Sequence, residues 1–249
     1  MIELNKIYNE DCLDGMKRIP DKSVDMILAD LPYGTTRNKW DSIIPLDSLW
    51  EQYNRVIKDN GAIVLTAQTP FDKVLGVSNL KLLRYEWVWE KTTSTGFLNS
   101  KKMPMKAHEN ILVFYKKLPT YNPQKTTGHT RKVSSAEHKI GSKVTSDYGE
   151  HGLTGYDSTE RYPRSIQVFP TDKQKTAVHP TQKPVALFEY LVKTYTDEGE
   201  TVLDNCMGSG TTAVACINTN RNFIGFEMDE NYHKLANERI EQHLNPIQK

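Results

Sequence analysis

No apolar run in this 249-residue chain approaches the roughly 20 residues that a membrane-crossing helix needs. The first residues, Met1-Ile2-Glu3-Leu4-Asn5-Lys6, lack the apolar core of a secretory signal, so a cytoplasmic location is expected. Cysteine is scarce. Cys12, Cys206 and Cys216 are odd in number and have no metal-ligand spacing, which fits reduced thiols and argues against structural zinc; no metal is expected. Two phosphate-binding signatures are also missing. The loop Gly208-Ser209-Gly210 is followed by Thr-Thr-Ala, where a dinucleotide fingerprint wants a third Gly, and no Lys follows Gly210 as a P-loop requires. No internal repeat or low-complexity tract is present.

What remains is the composition of an ordinary globular protein, 37% hydrophobic and 25% charged, long enough to bury a sizeable core. The net charge of +1 hides an asymmetry. From Lys91 to Lys143 eleven Lys/Arg stand against Glu109 and Glu137, a surplus of +9, so the rest of the chain carries −8. That stretch is rich in Ser, Thr, Gly and His, with Phe97, Phe114 and Tyr115 among the charges, and suits a polyanion such as nucleic acid.

Hydrophobic patterning gives an α/β order. Strands are expected at 7–10, 24–29, 62–66, 86–89, 110–115, 201–204 and 222–226. Helices are expected at 12–18 behind an Asp11 cap, at 46–58 with a stop at Asn60-Gly61, after Pro70, at 184–196, at 211–218 and from Glu230 onward. Between Lys116 and Lys175 the periodicity fades, apart from Ile166-Gln167-Val168-Phe169. The expected division is therefore 1–115, an inserted and partly flexible recognition region at 116–175, and 176–249.

Two constellations carry chemistry. Asp30-Leu31-Pro32-Tyr33 follows the apolar strand Val24–Ala29, placing a carboxylate, a stiff backbone and an aromatic face at the carboxyl edge of a sheet, where open α/β sheets bind ligands. Thr201 to Thr212 reads as strand, Gly loop and helix start. Glu227 ends the next strand, 17 residues past Gly210, where an acid can hold a ribose diol. With both phosphate readings disfavoured, an adenosyl ligand without phosphates fits the loop, and S-adenosylmethionine is the common one.

Together these features resemble the amino-methyltransferases of DNA, in their permuted group, with the catalytic tetrapeptide near the N-terminus and the cofactor loop near the C-terminus. Asp30-Leu31-Pro32-Tyr33 matches the Asp/Ser/Asn-Pro-Pro-Tyr motif, and Asp204 to Thr211 matches an Asp-Pro-Phe-x-Gly-x-Gly-Thr loop. His179-Pro180-Thr181-Gln182-Lys183-Pro184 and His108 to Phe114 match two further family segments, and Asp11 matches an acid that faces the cofactor adenine. The stretch from about Thr120 to Phe169 matches poorly. Leu31 stands for the first Pro of the tetrapeptide, and Asn205-Cys206 for Pro-Phe in the loop.

The resemblance implies a Rossmann-like, S-adenosylmethionine-dependent methyltransferase sheet, circularly permuted, with an inserted target-recognition region. It implies methyl transfer to the N6 amine of adenine in double-stranded DNA after base flipping. Asp30 and the Leu31 carbonyl would accept the two amine hydrogens, Tyr33 would stack on the base, and Pro32 would fix the backbone between them. Glu227 would hold the ribose and Asp11 the adenine. Gly208 and Gly210 would pass beneath the cofactor with Asp204, Met207, Thr211 and Thr212 around them. Cys12 would line the site, and Thr181 with Lys183 would lie near the cofactor's amino-acid end. A place in restriction-modification or phage protection, a cognate restriction endonuclease outside any complex, and a homodimer are further expectations. Cytosine-N4 methylation, a protein or small-molecule amine acceptor, and a non-catalytic DNA-binding module remain the alternatives. His129, His138 and His151 lack ligand spacing and read as polar surface or phosphate contacts.

Overall fold

The computed structural model describes residues 2–34, 42–134, 155–172 and 182–245. It divides into two compact units, 1–122 with 165–249, and 123–164.

The larger unit is built on an eight-stranded sheet. Its strands are β1 (Lys6–Tyr8), β2 (Val24–Asp30), β3 (Ile57–Ala67), β4 (Leu83–Thr95), β5 (Lys106–Phe114), β8 (Ile166–Phe169), β9 (Thr201–Asp204) and β10 (Asn222–Phe226). They lie in the order β1-β10-β9-β2-β3-β5-β4-β8, and only β5 runs against its neighbours. β2 is buried from Val24 to Ala29 because both faces are covered, which is why it reads as an unbroken apolar run. Met26 and Leu28 point into one core, and Ile27 and Ala29 into the other.

Each core is closed by three helices. Against one face pack α1 (Cys12–Met16), α2 (Leu46–Val56) and α3 (Phe71–Ser78), through Met16, Leu49, Tyr53, Phe71 and Leu75. Against the other pack α4 (Val185–Tyr195), α5 (Thr211–Asn218) and α6 (Glu230–Leu244). In α4 the buried Leu187, Phe188, Leu191, Val192 and Tyr195 follow the spacing of one helical face. No described helix is long and apolar enough to cross a membrane.

One expectation fails at Asn60-Gly61. The helix stops at Val56, and β3 begins at Ile57 and runs through both residues. Gly61 does not cap a helix; it lets two strands approach. A Cβ there would sit 2.7 Å from the Asp25 carbonyl oxygen and 2.7 Å from Ile57 side-chain carbons. The ladder between β2 and β3 also shifts register at this point, from Val24↔Ile57 to Met26↔Ala62, which marks a bulge.

The smaller unit joins β6 (Lys132–Ser134) and β7 (Tyr156–Ser158) in an antiparallel pair, extended by a bridge between Thr126 and Arg161. None of its described residues is buried, and ion pairs such as Arg131–Asp157 and Lys125–Glu160 are solvent-exposed. Within the expected region 116–175, Ile166–Phe169 belongs to the larger unit, where it pairs with Val88–Lys91.

Candidate active site

β2 and β9 lie side by side, yet the chain leaves them in opposite directions: from β2 through α2 to β3, and from β9 through α5 to β10. The carboxyl ends of such a pair open a crevice that no crossover covers. Asp30 ends β2 and Asp204 ends β9, so two carboxylates 174 positions apart in sequence reach one edge. A cavity of about 1100 Å³ opens there. Its wall includes Asp11, Cys12, Asp30, Leu31, Pro32, Tyr33, Lys183, Asp204, Met207, Gly208, Thr211, Thr212 and Glu227. Gly210 stands behind the wall, with φ of 81° at the N-cap of α5. A Cβ there would come within 3.2 Å of Ala236, so both backbone geometry and packing ask for glycine. Thr181, with His179 and Pro180, lies outside the described residues, as do His138 and His151.

At one end of the cavity the Asp30 carboxylate is gripped from three sides. Tyr33 Oη donates to Oδ1 at 2.7 Å, the Thr66 hydroxyl donates to the same oxygen, and Lys183 Nζ donates to Oδ2 at 2.7 Å. A carboxylate offers about four lone-pair sites, so roughly one remains for an incoming N–H. The Tyr33 ring stacks on Phe71, centroids 5.4 Å apart and planes at 27°. Behind Asp30 the charges alternate inward. Lys183 Nζ is 3.2 Å from Glu109 Oε2, and Lys91 Nζ is 2.5 Å from Glu109 Oε1, which also accepts from Gln68 Nε2 at 2.8 Å. Burial opposes the charge on Lys183, but Asp30, Tyr33 and Glu109 outweigh it and raise its ammonium pKa well above the ordinary value. Burial likewise opposes ionisation of Glu109, and Lys183 with Lys91 overcomes it, holding the carboxyl below its ordinary value.

At the other end the Gly loop is held by its own acid. Asp204 accepts from Cys206 N at 2.9 Å and from the Thr212 hydroxyl, tying the loop to the first turn of α5. Glu227 accepts from Gly208 N at 2.8 Å and from Asp229 N at 2.9 Å, which joins the loop to the tip of β10. Arg239 of α6 braces the loop from behind through the Ser209 carbonyl at 2.9 Å. Asp11 caps α1, accepting from Leu13 N at 2.8 Å, and its side chain meets the cavity. Asn205, which stands where the family pattern has Pro, is buried and satisfied. Its Oδ1 accepts from Tyr53 Oη at 2.5 Å, and its Nδ2 faces the Cys206 and Cys12 sulfurs at 3.3 and 3.6 Å.

Burial pushes the Asp204 carboxyl up to about 7, with the Thr212 and Cys206 donors opposing. Its contribution to stability is fully present below the ordinary value of 3.8 and is lost as pH rises through about 7. Urea midpoints of the ligand-free protein should therefore fall between about pH 4 and 7, and Asp204→Asn should flatten that fall by up to about 4 kcal/mol. An identical slope in both proteins would remove Asp204 as the cause.

A family model described as DNA methylase matches residues 24–238, most of the chain. The chain belongs to the DNA methylase family. Relatives of the methylase include the DNA adenine methyltransferase YhdJ of Escherichia coli K12, 28% identical over 96% of this chain and 83% of the relative. The type II methyltransferase M.BglII of Bacillus subtilis is 30% identical over 94% of this chain and 68% of its own length. Among solved structures, the complex of M1.HpyAVI with SAM superposes with a TM-score of 0.65, at 23% identity over 94% of this chain and 98% of that one. The PvuII cytosine-N4-specific DNA methyltransferase gives 0.69 at 15% identity, covering 97% and 92%. These structures share the methylase's fold, a Rossmann-like α/β sheet.

Several residues that shape the candidate site carry no catalytic signature of their own. Glu109 lies between His108 and Asn110 in the strand segment singled out above, Lys91 lies between Glu90 and Thr92 on β4, and Thr66 and Gln68 lie at the end of β3. The available signal was strand alternation: Trp87, Trp89 and Lys91 share one side of β4, and both tryptophans are buried. Gln182 adds a second kind of signal. Its amide oxygen and nitrogen are both buried at the cavity wall with no protein partner among the described residues, leaving a donor and an acceptor for a ligand.

Proposed function

We propose that this methylase transfers a methyl group from S-adenosylmethionine to the N6 amine of adenine in double-stranded DNA, after the base has left the helix. The observation that carries the reading is the Asp30 carboxylate, fixed by Tyr33, Thr66 and Lys183 on the wall of the cavity that also holds the Gly loop and Glu227. The exocyclic amine of adenine is a poor nucleophile because its lone pair is delocalised into the ring. Asp30 and the Leu31 carbonyl accept its two hydrogens, pull the nitrogen towards tetrahedral geometry and free the lone pair. Asp30 then takes up the proton that the amine releases. Tyr33 presents a ring face to the base, a contact worth roughly 1–3 kcal/mol. Adenine can reach such a pocket only by base flipping.

The cavity chemistry fits the methyl donor. Eight acids line it against two lysines, Lys91 and Lys183, each already ion-paired with Glu109 or Asp30. That wall disfavours phosphates and suits a ligand of net positive charge, which S-adenosylmethionine carries as sulfonium and ammonium against one carboxylate. When bound, the donor supplies an already activated methyl group, and alignment with the amine supplies much of the rate. Glu227, steadied by two backbone N–H groups, would receive the ribose hydroxyls; Asp11 and Cys12 would flank the adenine; Gly208 would allow close approach beneath it, while Gly210 turns the loop into α5 behind the wall. Lys183 serves the catalytic carboxylate, to which it is bonded, instead of the donor's amino-acid end. A role in restriction-modification or phage protection and a separate cognate endonuclease belong to this reading, supported by the likeness to M.BglII, named a type II methyltransferase; pairing into a homodimer is proposed with them.

The test is to methylate unmodified plasmid DNA with labelled donor, digest it to nucleosides and identify the product by mass. N6-methyl-2′-deoxyadenosine is expected; N4-methyl-2′-deoxycytidine would overturn the choice of base, and transfer to protein without transfer to DNA would overturn the acceptor. Glu227→Ala should raise KM for the donor about 10- to 100-fold while kcat changes little, the loss expected for hydrogen bonds to a charged group. A kcat effect with unchanged KM would remove Glu227 from the donor site.

A further inference from the structure

β4 does not stop where the sheet does. Asp30 lies level with Thr66, Ile111 and Trp87 across the ladder, and β4 continues eight residues past Trp87 to Thr95. At about 3.3 Å per residue the strand is long enough to carry the chain some 25 Å beyond the catalytic row. β4 runs parallel to β2 and β3, so this extension leaves the sheet at the carboxyl edge, where the cavity opens; Lys91 and Thr95 are on the cavity wall. A shift in the ladder between Glu90↔His108 and Thr95↔Lys106 puts extra residues into β4, the kind of bulge that re-aims a strand. The result is an arm, 92–106, whose tip is a 3-10 turn at Phe97–Asn99 behind Gly96 at φ 91°.

The arm tip is apolar where solvent would favour polar residues. Phe97 is 75% exposed and Leu98 96%, with Met103 and Met105 also exposed. Lys101, Lys102 and Lys106 are exposed beside them, and no acid occurs from Thr92 to His108. An apolar tip ringed only by cations is mismatched to water and matched to a stacked polyanion, where cations meet phosphates and an apolar wedge slips between bases.

We propose that Phe97 and Leu98 form a wedge that enters double-stranded DNA beside the target base, anchored by Lys101, Lys102 and Lys106 on the phosphates, and opens the stack so that the base can reach Asp30. This rests on the DNA methyltransferase reading above and adds the element that opens the duplex. Phe97 fills the gap left by the departing base, Leu98 bears on the neighbouring step, and the cations hold the backbone on either side. The +9 stretch thereby divides its work: buried Lys91 pairs with Glu109 behind the catalytic carboxylate, while the arm lysines serve the substrate.

The experiment compares the wild type with Phe97→Ser/Leu98→Ser on two substrates. One is a duplex carrying the sequence that the wild type modifies in plasmid DNA; the other is the same duplex with the target adenine opposite an abasic site, already unpaired. Because both side chains are exposed, the variant should melt with the wild type. Transfer to the intact duplex should fall on the order of 10- to 100-fold, while transfer to the unpaired target stays within about two-fold. 2-Aminopurine at the target position should brighten on binding of the wild type and not of the variant. Equal transfer by both proteins to the intact duplex, or an equal loss on both substrates, would overturn the wedge. So would a variant that sediments as a monomer while the wild type is a dimer, since the tip would then join two copies. If the wild type modifies neither duplex, the failure lies with the acceptor assigned to the enzyme and not with the arm.

Discussion

Asp30→Ala is expected to lower kcat for methyl transfer to DNA on the order of 10³-fold or more, with binding of S-adenosylmethionine nearly unchanged. Removing one preorganised charge-stabilising group from a water-poor site typically costs 10²–10³ in rate, and losing a positioned proton acceptor costs roughly 10²–10⁴. Asp30 is assigned both tasks, and no described neighbour can replace it. Tyr33, Thr66 and Lys183 all point donors at the carboxylate, so after its loss an incoming amine meets donors in place of an acceptor. The donor site should survive because the Gly loop, Asp204 and Glu227 are tied together without Asp30. Single-turnover transfer, donor affinity and melting temperature, measured together, separate the outcomes. Transfer within tenfold of the wild type, in a variant that binds donor and melts normally, would sink the assigned mechanism.

Local signals located this carboxylate, and long-range ones decided its surroundings. Val24–Ala29 announces a strand because both of its faces are buried, and a conspicuous Asp ends it. β9, α5 and β10 fall where patterning puts them because apolar runs and a Gly loop punctuate each boundary. Asn60-Gly61 misled for the opposite reason. The dipeptide has the same local grammar at a helix end and at a strand bulge, and only the Asp25 carbonyl, 36 residues away in sequence, distinguishes them. The partners of Asp30 are similarly remote. Thr66 lies 36 residues away and Lys183 153, while Tyr53 reaches Asn205 across 152. Strand alternation can put Glu109 on a buried face, but it cannot say that Lys91 and Lys183 will be there to meet it.

That meeting yields the second large effect. Lys91, Glu109, Lys183 and Asp30 form a neutral row of alternating charges, with Lys91, Glu109 and Lys183 at 7%, 4% and 4% side-chain exposure. Glu109→Gln keeps the shape and leaves two buried ammonium groups facing a neutral amide. Breaking a buried pair in this way typically costs about 3–5 kcal/mol. In a domain of this size that corresponds to a melting temperature lower by roughly 6–20 °C. Lys183→Met removes the other side of the contact and leaves Glu109 with Lys91, and Asp30 with its hydroxyl donors. The double variant restores neutrality, with Lys91 balancing Asp30. Its cost should therefore fall short of the sum of the singles by about 1–3 kcal/mol. The pH dependence fixes the sign. Because Glu109 is held below its ordinary value of 4.5, the stability it contributes is present above that value and is lost as pH falls through the depressed one. The gap between wild type and Glu109→Gln should be full at neutral pH and close in acid. Urea midpoints of the four proteins at several pH values provide the cycle. Additivity within about 0.5 kcal/mol would mean that Glu109 and Lys183 act independently, and Glu109 would no longer position the lysine that grips Asp30.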